Sequence, residues 1–524
     1  MSSKLSEVIA FCFCILCLSV AKTLLSKKNP LPLPPGPKPK PLIGNLEDLP
    51  LPGQPVWTHW TKHKDLYGPI SSVTAFGKTL IVLNDSSIAF ELLDKRSAIF
   101  SSRPRMVFGE MVGLGNTLVA QAYSERFRAY QKAFHAEIGP KSSVMRFNSL
   151  QEVEVGRFLL HVLKEPEAVL QRIRTMAGAI ILKISYGYAI EHHDRDPLVD
   201  LAEELLDIFS RTAESGTWIV DVLPFLRHIP AWVPGMTFKR TAARWRKTVT
   251  EFTEVPYAFV KRQLALGIHR PSYTSSRLEK GNLTPEDEFI VKWTAMSIYA
   301  GGADTTVAVL RCFFLAMTVY PEVQRTAQKE IDIVIGNDRL PNFGDRQDLP
   351  YIDAIVKEVL RWHPVVPLGF PHASTEDDVF EGYFIPKGAV IIPNVWCFTH
   401  DPKTYHDPMA FKPERYLGDD PEMDPHSLVF GFGRRSCPGR EFADASIYLT
   451  IAQTLAVFNI DKFVEDGKVV ESKVEFTPGM ISHPLNFRTN VKPRNKKAEE
   501  LIRSVEEEHP FTTGDAKVLE SLKT

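Results

Sequence analysis

The sequence lacks an excess of charge of either sign. Its 62 lysine and arginine residues are balanced by 63 aspartate and glutamate residues, which leaves a formal net charge of -1. Proteins that bind nucleic acid concentrate basic residues on one surface, and this balance gives no sign of such a surface. Because 44% of the 524 residues are hydrophobic, the chain can bury a large core, and we expect a globular protein with no nucleic-acid partner.

Cysteine is scarce as well. The chain contains six cysteines, and three of them fall within residues 12–17. This distribution excludes a small fold held together by disulfides. It also favours a reducing, cytosol-facing location for the body of the protein.

One long hydrophobic run lies near the N-terminus, at residues 8–25. As a helix it would span roughly 27 Å, nearly the thickness of a bilayer. Lys22, Lys27 and Lys28 follow on its C-terminal side, so the positive-inside rule places the body of the protein in the cytosol. We therefore predict a single-pass anchor at residues 1–28 in the endoplasmic reticulum membrane, with a cleaved signal peptide as the alternative.

The rest of the chain is predicted to form one large domain behind that anchor. Residues 29–45 are rich in proline and predict a stiff, extended hinge. Residues 46–494 show mainly helical periodicity with small β-sheets, including one hairpin at Gly77 and a second that turns near residues 386–388. Residues 495–524 are polar and predict a solvated tail.

A helix predicted to begin after Thr284 has an unusual centre. Thr284 suits the N-cap, Pro285 suits the first helical position, and no further proline occurs until Pro321. Its middle reads AGGADTT, from residue 300 to 306, and two adjacent glycines cost roughly 2 kcal/mol relative to alanine. Glycines allow a bound group to approach the backbone, beside the carboxylate of Asp304 and the hydroxyl of Thr305. A kink that serves packing alone is the alternative.

The stretch FGFGRRSCPGR, at residues 430–440, fits the pattern FxxGxRxCxG and resembles the haem-binding signature of the cytochrome P-450 family. The matching positions are Phe430, Gly433, Arg435, Cys437 and Gly439. The resemblance implies the cytochrome P-450 fold and a haem b cofactor (iron protoporphyrin IX), with Cys437 as the axial ligand of the iron. The glycines would allow a tight loop whose amides hydrogen-bond the thiolate.

Two further motifs extend the resemblance. EVLR and PERY look like the family's ExxR and PERF motifs, which implies a buried charged triad of Glu358, Arg361 and Arg415 with a structural role. The central AGGADTT resembles the family's oxygen-activation motif, which implies catalytic roles for Asp304 and Thr305 in supplying protons.

The resemblance also nominates residues for the haem propionates and for the substrate. Arg435, His372 and the helix that carries Arg126 and Arg128 would provide the cations. Here the sequence departs from the family's WRxxR, because Phe127 and Gln131 replace its tryptophan and second arginine. Segments that border the substrate pocket in the family are apolar in this chain; they include Val365, Val366, Leu368 and Met480.

These features together predict a membrane-anchored haem-thiolate monooxygenase that inserts one oxygen atom from O2 into a lipophilic small molecule. Electrons would come from NADPH through a separate NADPH-cytochrome P-450 reductase. The stretch TEDDVFEGYFIPKGAVIIPN looks most like fungal microsomal members that act in secondary metabolism. The alternatives are a haem-thiolate isomerase or dehydratase of peroxides, which would not need Asp304 and Thr305, and a haem sensor or carrier without enzymatic activity.

Overall fold

The computed structural model describes residues 30–41, 43–51, 53–75, 77–214 and 216–520. The predicted membrane anchor at residues 1–28 lies outside the described residues. Among the described residues, only the helix Pro285–Val319 has the length and apolar composition of a membrane-spanning segment, and 72% of its most apolar window is buried inside the protein.

The described chain is mainly helical, as the sequence predicts. The α-helices are, in chain order, α1 (Val56–Tyr67), α2 (Ser86–Ala89), α3 (Ser97–Phe100), α4 (Val107–Val112), α5 (Glu125–Ile138), α6 (Lys141–Met145), α7 (Asn148–Lys164), α8 (Val169–Tyr186), α9 (Pro197–Ala213), α10 (Ile219–Val222), α11 (Thr237–Ala265), α12 (Tyr273–Leu278), α13 (Pro285–Val319), α14 (Pro321–Val334), α15 (Pro350–Trp362), α16 (Val395–Thr399), α17 (His426–Val429), α18 (Arg440–Val457), α19 (Lys496–Glu508) and α20 (Ala516–Glu520).

The strands form small sheets at the edges of this helical body. They are β1 (Ile70–Ala75), β2 (Lys78–Leu83), β3 (His372–Ala373), β4 (Asp378–Phe380), β5 (Tyr383–Ile385), β6 (Val390–Pro393), β7 (Phe458–Lys462), β8 (Val464–Glu465), β9 (Lys468–Val469) and β10 (Thr489–Pro493). The largest described sheet has the order β1-β2-β6-β3, in which β1 and β2 form the predicted hairpin and β6 runs parallel to β2. The other sheets are the pairs β4-β5, β7-β10 and β8-β9.

The second hairpin turns earlier than the sequence suggested. Strands β4 and β5 pair across Glu381 and Gly382, with Phe380 opposite Tyr383. Both turn residues have positive φ, at 49° and 81°, as a two-residue hairpin loop of type I′ requires. Residues 386–388 instead lead into β6, which pairs with β2 and β3. The proline and glycine at that point mark the connection between two sheets rather than the hairpin.

Helix α13 runs through the centre of the domain. Its N-terminus has a capping box, because Thr284 Oγ1 accepts a hydrogen bond from the Asp287 amide and the Asp287 carboxylate accepts one from the Thr284 amide. The helix then continues without interruption for 35 residues and ends before Pro321. It packs against α8, α18 and α5, so its glycine-rich middle lies deep in the protein.

The C-terminal region is folded rather than solvated. Helix α19 packs on α7 and buries Ala498, Ile502 and Val505. The segment that follows it, residues 509–515, is held to the domain by an ion pair between Asp515 and Arg270. The apolar residues recur at intervals of four and three, which is the helical pattern of one buried face. The abundant charges of this segment lie on the opposite, exposed face of α19.

Candidate active site

The cysteine loop lies between α17 and the N-terminus of α18. The Cys437 amide donates a hydrogen bond to the Phe430 carbonyl oxygen at 2.7 Å, which closes the loop. Cys437 lies deep in the protein, yet its side chain is exposed, because it faces an internal cavity. Burial raises the pKa of the Cys437 thiol, while a hydrogen bond from the Gly439 amide and the positive charge of Arg440 act in the opposite direction. The loop therefore presents a single thiol to the cavity.

The five residues of the cysteine motif do not share one role. Phe430, Arg435, Cys437 and Gly439 line the cavity, whereas Gly433 does not. Gly433 has a φ of 52°, and its amide donates to the Asp94 carboxylate. A Cβ at this position would lie 2.2 Å from the Leu93 carbonyl oxygen. Gly433 is therefore needed for the close approach of two backbones, and the prediction that it contacts the cofactor is not supported by its position.

The cavity has a volume of about 330 Å³ and is bordered by several helices and loops. Its wall is predominantly apolar, and α5, α8, α9, α13 and the cysteine loop each contribute to it. Side chains from three helices that border it are Phe127 of α5, Phe209 of α9 and Thr305 of α13. A thiol on the wall of a closed, apolar space suits a large flat cofactor and a lipophilic ligand.

Two half-buried arginines on the cavity wall have no acidic partner among the described residues. Arg435 donates to the carbonyl oxygens of Ser101 and Gln121, each at 2.6 Å, and Arg103 donates to that of Phe370 at 2.8 Å. Burial lowers the pKa of Arg435 to about 10, and burial together with the nearby charge of Arg435 lowers that of Arg103. Cations that are largely removed from bulk water need an anion, so the two arginines fit the propionates of a haem. Arg103 was missed in the sequence because it belongs to no recognisable pattern.

His372 also lines the cavity, and it is neutral. Its Nδ1 donates to the Phe100 carbonyl oxygen at 2.7 Å. Burial, with the nearby charges of Arg103 and Arg435, holds the pKa of His372 well below its usual value. His372 therefore offers a neutral hydrogen-bonding group rather than a charge to a bound propionate.

Helix α5 presents Phe127 and Gln131 to the cavity, as the helical spacing predicts. The Arg435 guanidinium lies 3.7 Å from the centre of the Phe127 ring, and Gln131 Nε2 donates to the Arg434 carbonyl oxygen at 3.0 Å. Arg128 does not reach the cavity. Its side chain is 58% exposed and lies 3.5 Å from the Glu125 carboxylate, because it sits about 100° round the helix from Phe127. The predicted contact between Arg128 and the cofactor is therefore absent from this arrangement.

The two central glycines of α13 have different surroundings. A Cβ added at Gly302 would lie 2.7 Å from Ile181 Cδ1 and Cγ1, whereas a Cβ added at Gly301 would meet no heavy atom within 4 Å. Gly302 therefore allows α8 to pack closely on α13. Gly301 leaves the helix backbone accessible from the cavity. Of the two roles considered for the glycine pair, helix packing therefore applies to Gly302 and the approach of a bound group applies to Gly301.

The structure brings Thr305, but not Asp304, to the cavity. Thr305 Oγ1 donates to the Gly301 carbonyl oxygen at 2.8 Å, so its hydroxyl is held beside the open face of the helix. Asp304 is buried, and its Oδ2 lies 3.0 Å from His483 Nε2. The expectation that both side chains lie beside a bound group holds for Thr305 alone, and the roles of Asp304 and Thr305 in supplying protons stay predictions.

The charged triad is assembled behind the cysteine loop. Arg361 donates to both oxygens of Glu358, at 2.8 and 2.7 Å, and Arg415 lies 3.1 Å from the same carboxylate. Arg361 also donates to three backbone carbonyl oxygens, those of Thr399, Pro408 and Ala410. The Glu358 and Arg361 side chains are fully buried, and none of the triad lines the cavity. The triad thus links α15 to the chain segments that precede the cysteine loop.

Only part of the predicted substrate pocket borders the cavity. Val365 and Val366 do so, whereas Leu368 packs in the small core cluster formed around Trp60, and Met480 is replaced at the cavity by its neighbour Ile481. Helix α9 adds apolar residues that the sequence did not indicate. These are Leu205, Leu206 and Phe209.

Comparison with known proteins agrees with this geometry. The profile of the family described as cytochrome P-450 matches residues 34–491. The chain is 50% identical over 480 residues to cytochrome P-450 monooxygenase claR of Ampulloclitocybe clavipes, covering 91% of this chain and 89% of the relative. It is 46% identical over 489 residues to cytochrome P-450 monooxygenase ppsD of Aspergillus oryzae, covering 92% and 93%. It is also 42% identical over 480 residues to O-methylsterigmatocystin oxidoreductase of Aspergillus flavus, covering 91% and 90%.

Proposed function

This chain is a monooxygenase of the cytochrome P-450 family, and from that premise we propose that it oxidises a lipophilic secondary metabolite with electrons that a partner reductase takes from NADPH. The observation that carries the proposal is the apolar cavity that has Cys437, Gly301 and Thr305 on its wall. The relatives include several fungal monooxygenases, one of them named for its action on O-methylsterigmatocystin. The peroxide isomerase and the haem carrier are less well supported, because these relatives are named as oxidising enzymes.

The residues of the cavity divide into those that would hold haem b and those that would hold substrate. When bound, the haem iron activates O2, and a thiolate ligand such as Cys437 favours cleavage of the O–O bond, as in cytochromes P-450 generally. Arg103, Arg435 and His372 would hold the propionates. The Thr305 hydroxyl donates its hydrogen to the Gly301 carbonyl oxygen, so Thr305 Oγ1 would accept a hydrogen bond at the reacting centre and hold a proton there.

The substrate would fill the part of the cavity that α9, Val365 and Ile481 border. Apolar side chains exclude water from this space, so affinity would follow the apolar area of the ligand. Among the described residues that line the cavity, the charged side chains are Arg103 and Arg435, which are assigned to the propionates, so no charged side chain is left to orient a substrate. We therefore propose a largely hydrocarbon or aromatic molecule as the substrate class.

The test is reconstitution of the full-length protein in membranes with a cytochrome P-450 reductase and NADPH. A fungal lipophilic extract serves as the substrate pool, and oxygenated products with one added oxygen atom are identified by mass spectrometry under ¹⁸O2. Cys437→Ser should abolish turnover and the red-shifted Soret band of the ferrous carbonyl complex. Cys397→Ser, which changes a buried thiol that does not line the cavity, should leave both intact. A normal carbonyl band in Cys437→Ser would contradict the ligand assignment.

Attachment to the endoplasmic reticulum membrane is also part of the proposal. Several large apolar side chains are exposed in α10 and in the segment between α10 and α11, among them Ile219, Phe225 and Trp232. The exposed fraction of Trp232 is 83%. Lys78 Nζ donates to the Asp221 carbonyl oxygen at 2.7 Å, and the proline-rich hinge pairs with the same hairpin at Ala75. The C-terminal end of the hinge therefore lies close to this apolar patch. We propose that the anchor at residues 1–28 and the apolar patch contact the same bilayer.

This part of the proposal is checked by deleting residues 1–28, with and without Trp232→Ser and Phe225→Ser. The truncated protein should bind vesicles weakly, and the two substitutions should remove the remaining binding. Full release by truncation alone would contradict a role for the apolar patch.

The reductase would dock near the cysteine loop. Arg128, Arg434 and Arg440 are exposed on this side of the protein, and Gln131 links α5 to the loop. Charge reversal at Arg128 or Arg434 should raise the reductase concentration needed for half-maximal rate, most strongly at low salt. No change at low salt would place the reductase elsewhere.

A further inference from the structure

A histidine near the C-terminus holds the carboxylate of the central helix. His483 Nε2 lies 3.0 Å from Asp304 Oδ2, and the Arg174 guanidinium lies 3.9 Å from Asp304 Oδ1. Neither His483 nor Arg174 lines the cavity, whereas Thr305, the residue after Asp304, does. The carboxylate is thus held one residue away from the cavity, by partners that stand outside it.

The backbone around His483 is fixed in place. The Thr477 amide donates to the His483 carbonyl oxygen at 2.8 Å, and the His483 amide donates to Thr477 Oγ1 at 2.9 Å. The preceding Ser482 amide donates to the Val365 carbonyl oxygen at 2.8 Å. Ile481, Ser482 and His483 therefore form a short, anchored segment that borders the cavity at one end and contacts Asp304 at the other.

The charges around Asp304 favour its ionised form. Burial alone would raise its pKa, but the hydrogen bond with His483 and the charges of His483, Arg174 and Arg311 together hold it below the usual value. Arg174 also pairs with Glu203 at 2.9 Å, and the Glu203 side chain is 54% exposed. Asp304 is therefore linked through Arg174 to the exposed Glu203 on one side, and it contacts the His483 ring on the other.

The His483 ring is bound at one nitrogen only. Its Nδ1 is buried and has no hydrogen-bond partner within the described ranges. The ring is therefore oriented through its contact with Asp304, and removing it would leave the buried carboxylate without that hydrogen bond.

We propose that His483 is a positioning residue that holds Asp304 ready to pass protons from solvent towards Thr305. The inference rests on the proposed monooxygenase function, in which O2 takes up protons as well as electrons. His483 does not touch the cavity, so it acts through Asp304 and not on the reacting atoms. No local pattern indicates this pair, because the two residues are 179 positions apart.

The test follows the fate of electrons in the absence of substrate. Full-length, haem-loaded protein with reductase converts O2 and NADPH either to hydrogen peroxide, using two electrons and two protons, or to two molecules of water, using four of each. The peroxide formed per NADPH is measured from about pH 5 to about pH 8. In the wild type we expect a constant ratio over this range, because the pKa of Asp304 is held below its usual value and the carboxylate stays ionised.

Variants at the pair give distinct expectations. In His483→Phe the ratio should rise below about pH 6, because Asp304 stays buried but loses its hydrogen bond, so that its pKa rises and part of the carboxylate is protonated there. His483→Gln can still donate to Asp304, so the rise should be smaller, and this variant serves if the phenylalanine variant does not fold. Asp304→Asn should raise the ratio at every pH, and adding His483→Phe to it should change nothing further.

His363 provides the matched control. It is buried in the same region and its Nε2 lies 2.7 Å from Ser482 Oγ, but it does not contact Asp304, so His363→Phe should keep the wild-type ratio at every pH. The proposal is overturned if His483→Phe also keeps that ratio, or if its effect persists in the Asp304→Asn background. A wild type without the carbonyl band or NADPH consumption would instead refute the proposed function.

Discussion

Alanine substitutions at the two adjacent glycines of α13 should have opposite effects on stability. Replacing glycine by alanine inside a helix gains about 1 kcal/mol in either case. At Gly301 the added methyl group meets no atom within 4 Å, but at Gly302 it would lie 2.7 Å from Ile181 Cδ1 and Cγ1. Overpacking of this kind costs about 1–3 kcal/mol. Because the helix-propensity gain is common to both, Gly302→Ala should be less stable than Gly301→Ala by about 1–3 kcal/mol.

The measurement is urea unfolding followed by circular dichroism, with the ferrous carbonyl spectrum as a check that each variant holds haem. Ile181→Ala removes every Ile181 atom beyond Cβ, so the overpacking should disappear when it is combined with Gly302→Ala. A double-mutant cycle should therefore show a favourable coupling of similar size between positions 181 and 302. Equal stability of the two glycine variants, or a coupling near zero, would refute the close packing of α8 on α13.

Three further predictions concern other parts of the protein. Arg103→Leu should speed haem transfer to apomyoglobin about tenfold, because a charge-assisted contact with a propionate is lost. Arg128→Leu should leave the transfer rate unchanged, and equal rates in the two variants would contradict the placement of Arg103. Burial opposes protonation of His426, but hydrogen bonds with Asp424 and Asp444 raise its pKa from 6.5 to about 9. Its stabilisation, about 3 kcal/mol at most, is complete below pH 6.5 and is lost as the pH rises through about 9, so His426→Asn should lower Tm at about pH 6 and have little effect near pH 10. Ile502→Ala should destabilise the domain by about 2–5 kcal/mol, because Ile502 is fully buried, and a change below about 0.5 kcal/mol would mean that α19 does not contribute to the core.

The features that could be predicted from the sequence depend on residues that are close together along the chain. The cysteine motif, the ExxR motif and the capping box at Thr284 each depend on residues a few positions apart, whose spacing fixes their relative placement in a loop or on one helix turn. The same holds for Phe127 and Gln131, which share a helix face because they are four residues apart. These features predicted the family, the iron ligand, the triad and the side of α5 that borders the cavity.

Only the tertiary structure decided which distant residues meet. Gly302 is required because Ile181 of another helix lies against it, and Asp304 faces away from the cavity because His483 and Arg174 hold it there. Arg103 can be proposed as a partner of the haem propionates only because loops that are far apart in the chain meet on one wall of the cavity. Contacts of this kind depend on how helices pack, and packing depends on the shapes of both surfaces at once. A local sequence pattern describes the surface of one helix. The surface that packs against it comes from a distant part of the chain and is known only from the folded structure.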